Sequence, residues 1–286
     1  MDRGAIVLTS GGADSIPLLY YVTKVMKPKH TIAIHVDYGQ RMVDMERFGV
    51  EKSVEHLLKL GYSLELKTFD IRWLGKLSTS KLVKEEPIPE TPIDKLNNKD
   101  EAKDRILWWW DVVRNLQLIT IALAVAESID LNKYITSKGR EIYDVYIGIR
   151  RETPAPMKDN TPEFIEEMNR VSAIATHFGD YKIYAPFINL DKHAIIRLGD
   201  LLGVKWIYTF SCYTNVHEWV KHPLYEEEIL LHCGYCSNCR RRALAFKEAE
   251  VMDESLYQKR VLPNYALFDN YFIDELLLKK LKGYRF

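Results

Sequence analysis

Six residues, Ser10-Gly11-Gly12-Ala13-Asp14-Ser15, constrain this chain more than any others, because of what flanks them. Before them stands the apolar run Ala5-Ile6-Val7-Leu8-Thr9; after them Ile16, Leu19, Val22 and Met26 recur at helical spacing. The order is strand, tight loop, helix. A lone Gly-Gly pair reads as a turn capped by Ser or Asp, but six such residues directly after a first strand predict an anion site. Gly11 and Gly12 let backbone amides approach oxygens with no Cβ in the way, the helix offers unpaired N–H groups and its positive end, and Ser10 and Ser15 add hydroxyls. Ala13 completes the loop. Asp14 is out of place beside a polyphosphate unless a cation lies between them, so it implies Mg²⁺. The pattern is neither G-x-G-x-x-G nor G-x-x-x-x-G-K-[ST], since no Lys follows the glycines.

The alternation then repeats. Thr31 to Val36 predicts a strand, Val43, Glu46, Val50, Val54 and Leu57 a helix, and Leu64 to Phe69 a strand. A helix is expected from near Trp108 through Leu116, Ile119, Leu123 and Ala126, then a strand at Tyr143 to Ile147. A helix from Pro162, a strand at Lys182 to Ala185 and a helix from Asp191 ended by Gly203 follow. Such alternation means a parallel sheet with helices on its faces. Between Lys76 and Arg105 periodicity gives way to Lys, Glu, Asp, Asn and three prolines, a composition expected to bury little surface. It reads as a long loop, either a solvated insertion or a lid over substrate. Regular alternation stops near Trp206, dividing the chain into a nucleotide domain, 1–205, and a C-terminal lobe, 206–286. The tail, with Leu276, Leu277, Leu278 and Leu281 before a basic end, reads as a solvated terminus.

At 286 residues with 47% hydrophobic side chains, the chain has the makings of a globular core. Its 40 Lys plus Arg balance 40 Asp plus Glu, which removes the broad basic field of a nucleic-acid binder. No run approaches roughly 18 uninterrupted apolar residues, and Met1-Asp2-Arg3 leads straight to the first strand, so a cytoplasmic protein without a membrane span is expected. All four cysteines, Cys212, Cys233, Cys236 and Cys239, fall in one short window, where a disulfide scaffold would spread them. Four soft ligands in this spacing suit tetrahedral Zn²⁺, and a closed set points to a structural role. An iron–sulfur cluster and free thiols are the alternatives, with His217 and His232 as nearby competing ligands.

The loop resembles the Ser-Gly-Gly-x-Asp-Ser loop of the PP-loop ATP pyrophosphatases, adenine nucleotide alpha hydrolase-like proteins that hold the β,γ-pyrophosphate of ATP while a substrate oxygen attacks the α-phosphorus. Further pieces in order are His35-Val36-Asp37-Tyr38-Gly39-Gln40-Arg41 at the end of the second strand, Arg114-Asn115 before an apolar helix, Tyr146-Ile147-Gly148, Pro162-Glu163-Phe164-Ile165, Ala185-Pro186 with Lys192, and Ser211-Cys212 with the later cysteines. Together they resemble the 7-cyano-7-deazaguanine synthase (QueC) family over nearly the whole chain. The resemblance implies a five-stranded parallel sheet flanked by helices with a C-terminal zinc lobe, and an enzyme that adenylates 7-carboxy-7-deazaguanine for attack by ammonia, giving amide and then nitrile. It implies that Ser10, Gly11, Gly12, Ala13, Asp14, Ser15 and His35 hold ATP and Mg²⁺, and that Asp14, Lys192 and Arg114 take part in catalysis. It places Asp37, Tyr38, Gln40, Arg41, Asn115, Gly148 and Asp159 on the deazaguanine side, and it implies a homodimer. The lesser alternatives are a solvated first-turn residue for Lys192 and a surface ion-pair member for Arg114.

Three departures stand out. Val112-Val113 replace the family's Pro-Gly turn ahead of Arg114. Between Ile149 and Thr161 only Asp159 survives of the family's pattern, and the spacer from Cys212 to Cys233 is longer than usual. ATP handling therefore reads as intact and the acceptor side as rebuilt. The same residues resemble QueC-like proteins of bacterial antiviral operons, where the acceptor would be an amine on a partner protein. A tRNA sulfur transferase would need a cysteine outside the four-ligand set, and a mere nucleotide-binding module would not need both Asp14 and Lys192.

Overall fold

The computed structural model describes residues 3–93, 96, 107–151, 157–214, 218–223, 225 and 227–259. Five parallel strands form the central sheet in the order β3-β2-β1-β4-β5: β1 (Gly4–Leu8), β2 (Thr31–Asp37), β3 (Leu64–Asp70), β4 (Tyr143–Ile147) and β5 (Ile183–Tyr184). β1 is buried along its whole length, which is why it reads as an unbroken apolar run and not as an alternating one. Its side chains still divide by the period of two. Ala5 and Val7 join one hydrophobic cluster, with α1 (Ser15–Tyr21), α2 (Val43–Lys59) and α6 (Lys192–Leu201); Ile6 and Leu8 join the other, with α4 (Arg114–Ser137) and α5 (Pro162–Ala175). A short α3 (Arg72–Leu77) follows β3. Strand order reverses between β1 and β4, so a crevice opens at their carboxyl ends, where open α/β sheets take ligands.

Local signals set the helix ends. α5 starts with Pro162 in its first turn and with Thr161 Oγ1 accepting a 3.2 Å hydrogen bond from Phe164 N. α1 runs on as a wider π turn, Val22–Met26, and stops at Lys27 in the left-handed region. A helical turn at 107–109 stands near Trp108, where the periodicity predicts a helix to begin, but the path is interrupted over 110–113 and α4 proper starts at Arg114. Val113 adopts φ 47°, a conformation costly for a β-branched residue, and breaks the helical path there. The stretch Leu107–Ser137, which contains α4, is long and apolar enough to span a membrane by length and composition alone; Ile119, Ala122, Leu123 and Ala126 are instead buried against the sheet as core.

The segment between Lys76 and Arg105 also departs from expectation, since its described part buries Leu82, Ile88 and Leu96. It is tied down by backbone groups: Arg41 N donates to Leu82 O at 2.8 Å, Arg41 Nη1 to Glu86 O at 2.8 Å, and Thr91 N to Tyr235 O at 3.2 Å. Isolated apolar residues in polar surroundings find partners far away in sequence, a feature that composition averages out. After a 3₁₀ turn at Trp206–Tyr208 come the antiparallel pair β6 (Trp219–Lys221) and β7 (Glu228–Leu230), then α7 (Ser237–Ala249). The first hydrophobic cluster continues without a break from Ile16 to the cysteines and Phe246. His217 and the leucine-rich tail lie outside the described residues.

Candidate active site

The crevice holds a cavity of about 250 Å³ whose wall is assembled from the carboxyl ends of β1, β2 and β4, the start of α4 and the 210–213 segment. The loop after β1 is clamped by backbone contacts. Gly11, at φ 71°, carries no Cβ because one would lie 2.4 Å from Glu46 O, and its own carbonyl accepts from Phe210 N at 2.9 Å. Ser15 Oγ accepts from Ser10 N at 3.0 Å and lies 3.2 Å from Ser10 Oγ, so the two hydroxyls are held side by side. Gly148 lets β4 run on against the same loop: a Cβ there would lie 3.1 Å from Ser15 Cα.

Asp14 stands at the head of α1 between two cations. Lys192 Nζ donates to its Oδ2 at 2.8 Å, and Arg150 Nε lies 3.7 Å from Oδ1. Burial works against the ionised carboxyl, but Lys192 and Arg150 prevail and hold its pKa below the ordinary value. Lys192 projects from the first turn of α6, which Asp191 precedes as N-cap, so it is not a solvated residue.

On the opposite wall, Arg114 donates from Nη1 to buried Asp111 at 3.2 Å and sits 5.8 Å from the Tyr38 ring centre. Burial opposes its charge, yet Tyr38 and Asp111 keep it firmly protonated; burial also pushes the Tyr38 hydroxyl up. Asn115 Nδ2 donates to Asn160 Oδ1 at 2.9 Å, joining α4 to the segment just before α5. His35 places Nδ1 3.1 Å from Thr9 O, an arrangement in which Nδ1–H donates and Nε2 is left as a buried acceptor without a protein partner. Burial lowers its pKa, so the ring is neutral.

Of the predicted residues, Ser10, Gly12, Ala13, Asp14, Ser15, His35, Tyr38, Gln40, Arg114, Asn115, Gly148, Lys192 and Cys212 line the cavity. Gly11 supports it from behind. Asp37 accepts from Gly39 N at 2.9 Å, Arg41 holds the 82–86 segment, and the Asp159 carbonyl accepts from Asn115 at 3.4 Å, so these three brace the wall from outside the lining. Sequence reasoning gave no site role to Glu46, Arg150, Ser211 or Asn238. For Glu46 a signal existed, an acid in the middle of the otherwise apolar stripe Val43, Val50, Val54 and Leu57. Arg150 lies in the departing stretch, and only the fold brings it to Asp14.

Cys212, Cys233, Cys236 and Cys239 are all buried, with their Sγ atoms within 4.8 Å of one another, a set that could hold a metal ion. Backbone N–H groups of Tyr235 and Cys236 point at Cys233 Sγ (3.4 and 3.3 Å), and that of Cys239 at Cys236 Sγ (3.4 Å), donors that favour thiolates. His232 is no rival ligand: its Nε2 accepts from Ser211 N at 3.1 Å, and burial lowers its pKa to about 3. Because Cys212 belongs to both cluster and cavity wall, the two are continuous. The wall is further fixed by Arg242, fully buried with Asp253 at 3.0 Å and donating to Ser211 Oγ at 3.2 Å.

A family model described as queuosine biosynthesis protein QueC matches residues 4–250. A 7-cyano-7-deazaguanine synthase of Methanobrevibacter smithii is 33% identical over 260 residues, covering 91% of this chain and all of that protein. One of Methanocaldococcus jannaschii is 32% identical, covering 88% and 98%. The structure of U34-tRNA thiolase NcsA from Methanococcus maripaludis, with its 4Fe-4S cluster, overlays with a TM-score of 0.39 at 14% identity, covering 99% of this chain and 73% of that one, too loosely to support an argument.

Proposed function

The chain belongs to the QueC family, and from that premise we propose that it is an ATP-dependent enzyme acting on 7-carboxy-7-deazaguanine, releasing AMP and pyrophosphate and joining the activated carboxylate to a nitrogen nucleophile. The observation that carries this reading is the pairing of Asp14 with Lys192 at the loop between β1 and α1, on a cavity whose far wall presents Arg114. Backbone amides of residues 11–15 and the hydroxyls of Ser10 and Ser15 would receive the β,γ-phosphates. Lys192 and Arg150 are poised to leave Asp14 for phosphate oxygens, which offsets the charge that grows on departing pyrophosphate. Asp14, so released, would hold Mg²⁺, whose part is to neutralise the phosphates. Arg114, fixed by Asp111, offers a fork suited to the substrate carboxylate. Neutral His35 offers Nε2 as an acceptor at the adenosine side.

The four cysteines suit Zn²⁺, which would fix the 210–213 wall and hold the lobe after residue 205 against the nucleotide domain. We assign the protein to the cytoplasm. A second reading, an amine of a partner protein as acceptor, is favoured by one observation: the rebuilt 149–161 stretch sets Arg150 against Asp14 and Asn160 against Asn115. Incubation with ATP, Mg²⁺, 7-carboxy-7-deazaguanine and ammonium, followed by mass analysis, decides between them. Free nitrile supports synthase activity, AMP with an amide only supports the ligase reading, and no AMP refutes both.

A further inference from the structure

Glu46 is a carboxylate on the cavity wall that the reaction outlined above does not use. The acids among the described lining residues are Asp14 and Glu46, and only Asp14 has ion-pair partners. Glu46 Oε2 accepts a 2.8 Å hydrogen bond from Gln40 Nε2. Gln40 cannot turn to do otherwise, since its Oε1 accepts from Tyr38 N at 2.8 Å and its Nε2 also donates to Val36 O at 3.0 Å. One neutral donor is poor compensation for a carboxylate withdrawn from water, and burial pushes the Glu46 pKa up to about 7 despite Gln40 and Arg114. The backbone gives it no freedom to withdraw, because Glu46 O is packed against Gly11.

Such a group awaits N–H donors from a ligand. Phosphates and a substrate carboxylate are anions and would be repelled. The adenine edge alternates donor and acceptor. The pyrimidine edge of a guanine-type base is different, since N1–H and the 2-amino group lie side by side and match the two oxygens of one carboxylate. We propose that Glu46 is the specificity residue for the base, accepting N1–H and the 2-amino N–H of the 7-deazaguanine and rejecting a base that lacks the amino group. This rests on the substrate class argued in the preceding subsection. Tyr38 and Gln40, on the same wall, then act as positioning residues that hold Glu46 and the base edge in register.

The test is calorimetric binding of 7-carboxy-7-deazaguanine and of its 2-deamino analogue, with a non-hydrolysable ATP analogue present so that turnover plays no part. The wild-type protein is expected to bind the amino base about tenfold to hundredfold more tightly, the size of one good base-edge contact. Glu46→Gln presents an N–H where an acceptor is required, and should erase that preference by weakening binding of the amino base. Glu46→Asp keeps the carboxylate and should retain the preference at lower affinity. Equal binding of both bases by the wild type, binding of neither, or a preference that survives Glu46→Gln would overturn the proposal. If Glu46-dependent discrimination is found but no AMP is ever formed from ATP, the proposed reaction fails while the base recognition stands.

Discussion

Replacing Glu46 by Gln should raise stability in alkaline solution even as it damages function. The carboxyl titrates near its ordinary 4.5 in the unfolded chain but at about 7 in the fold, because burial disfavours its charge. Below both values each state is protonated and nothing is lost. Between them the unfolded chain releases a proton that the fold retains, so stability declines as pH rises, by about 1.4 kcal/mol per pH unit, and levels off above the folded value. The gap amounts to about 3 kcal/mol, an upper figure because the cavity admits some water. Gln keeps the shape and cannot titrate, so the stability difference, variant minus wild type, should grow by that order between pH 4 and pH 8. Urea denaturation followed by tryptophan fluorescence at several pH values measures it. A difference that stays flat, or that shrinks as pH rises, refutes the reasoning that Glu46 is held in the cavity at a cost in stability.

Lys192→Met should lower the melting temperature, since Asp14 is left with Arg150 alone at 3.7 Å, and cut pyrophosphate release on the order of 10²-fold or more, since a preorganised cation on the leaving group is lost; thermal unfolding and a pyrophosphate assay check this. Gly49→Ala should destabilise the chain by about 1–3 kcal/mol despite alanine's better helix propensity, because the new Cβ would lie 2.4 Å from Tyr208 O; thermal unfolding reads the sign. Purified protein should contain zinc equimolar with the chain, and Cys236→Ser should lose both the metal and the intrinsic order of the 210–213 wall, as elemental analysis and proteolysis would report.

What was legible in the sequence was what is local. The β1–loop–α1 unit could be read because strand period, glycines and helix signal fall within about twenty residues, and the cysteine cluster because ligand spacing is itself a local geometry. The central strands were legible for the same reason, as β4 at Tyr143–Ile147 shows. What depends on long-range packing was not. Arg150 meets Asp14 only because β4 pairs with β1, and the 210–213 segment becomes a cavity wall only because Phe210 N binds Gly11 O. The helix near Trp108 was legible as far as 107–109, but the interruption before Arg114 was not, because nothing in the apolar periodicity shows that Val113 adopts φ 47°. Leu82 and Ile88 were lost in a polar average although each anchors its own stretch of chain. Glu46 was visible all along within the apolar stripe of α2, and its meaning came only from seeing that, while Val50, Val54 and Leu57 pack in the core, Glu46 lines a cavity.

The most direct test of the central claim is the fate of ATP with 7-carboxy-7-deazaguanine, Mg²⁺ and ammonium, read as AMP, pyrophosphate and the mass of the base. The account predicts AMP and pyrophosphate in amounts that depend on the deazaguanine carboxylate, with amide or nitrile formed and both lost in Asp14→Ala. Hydrolysis to ADP, or AMP formed equally without the base, would contradict it.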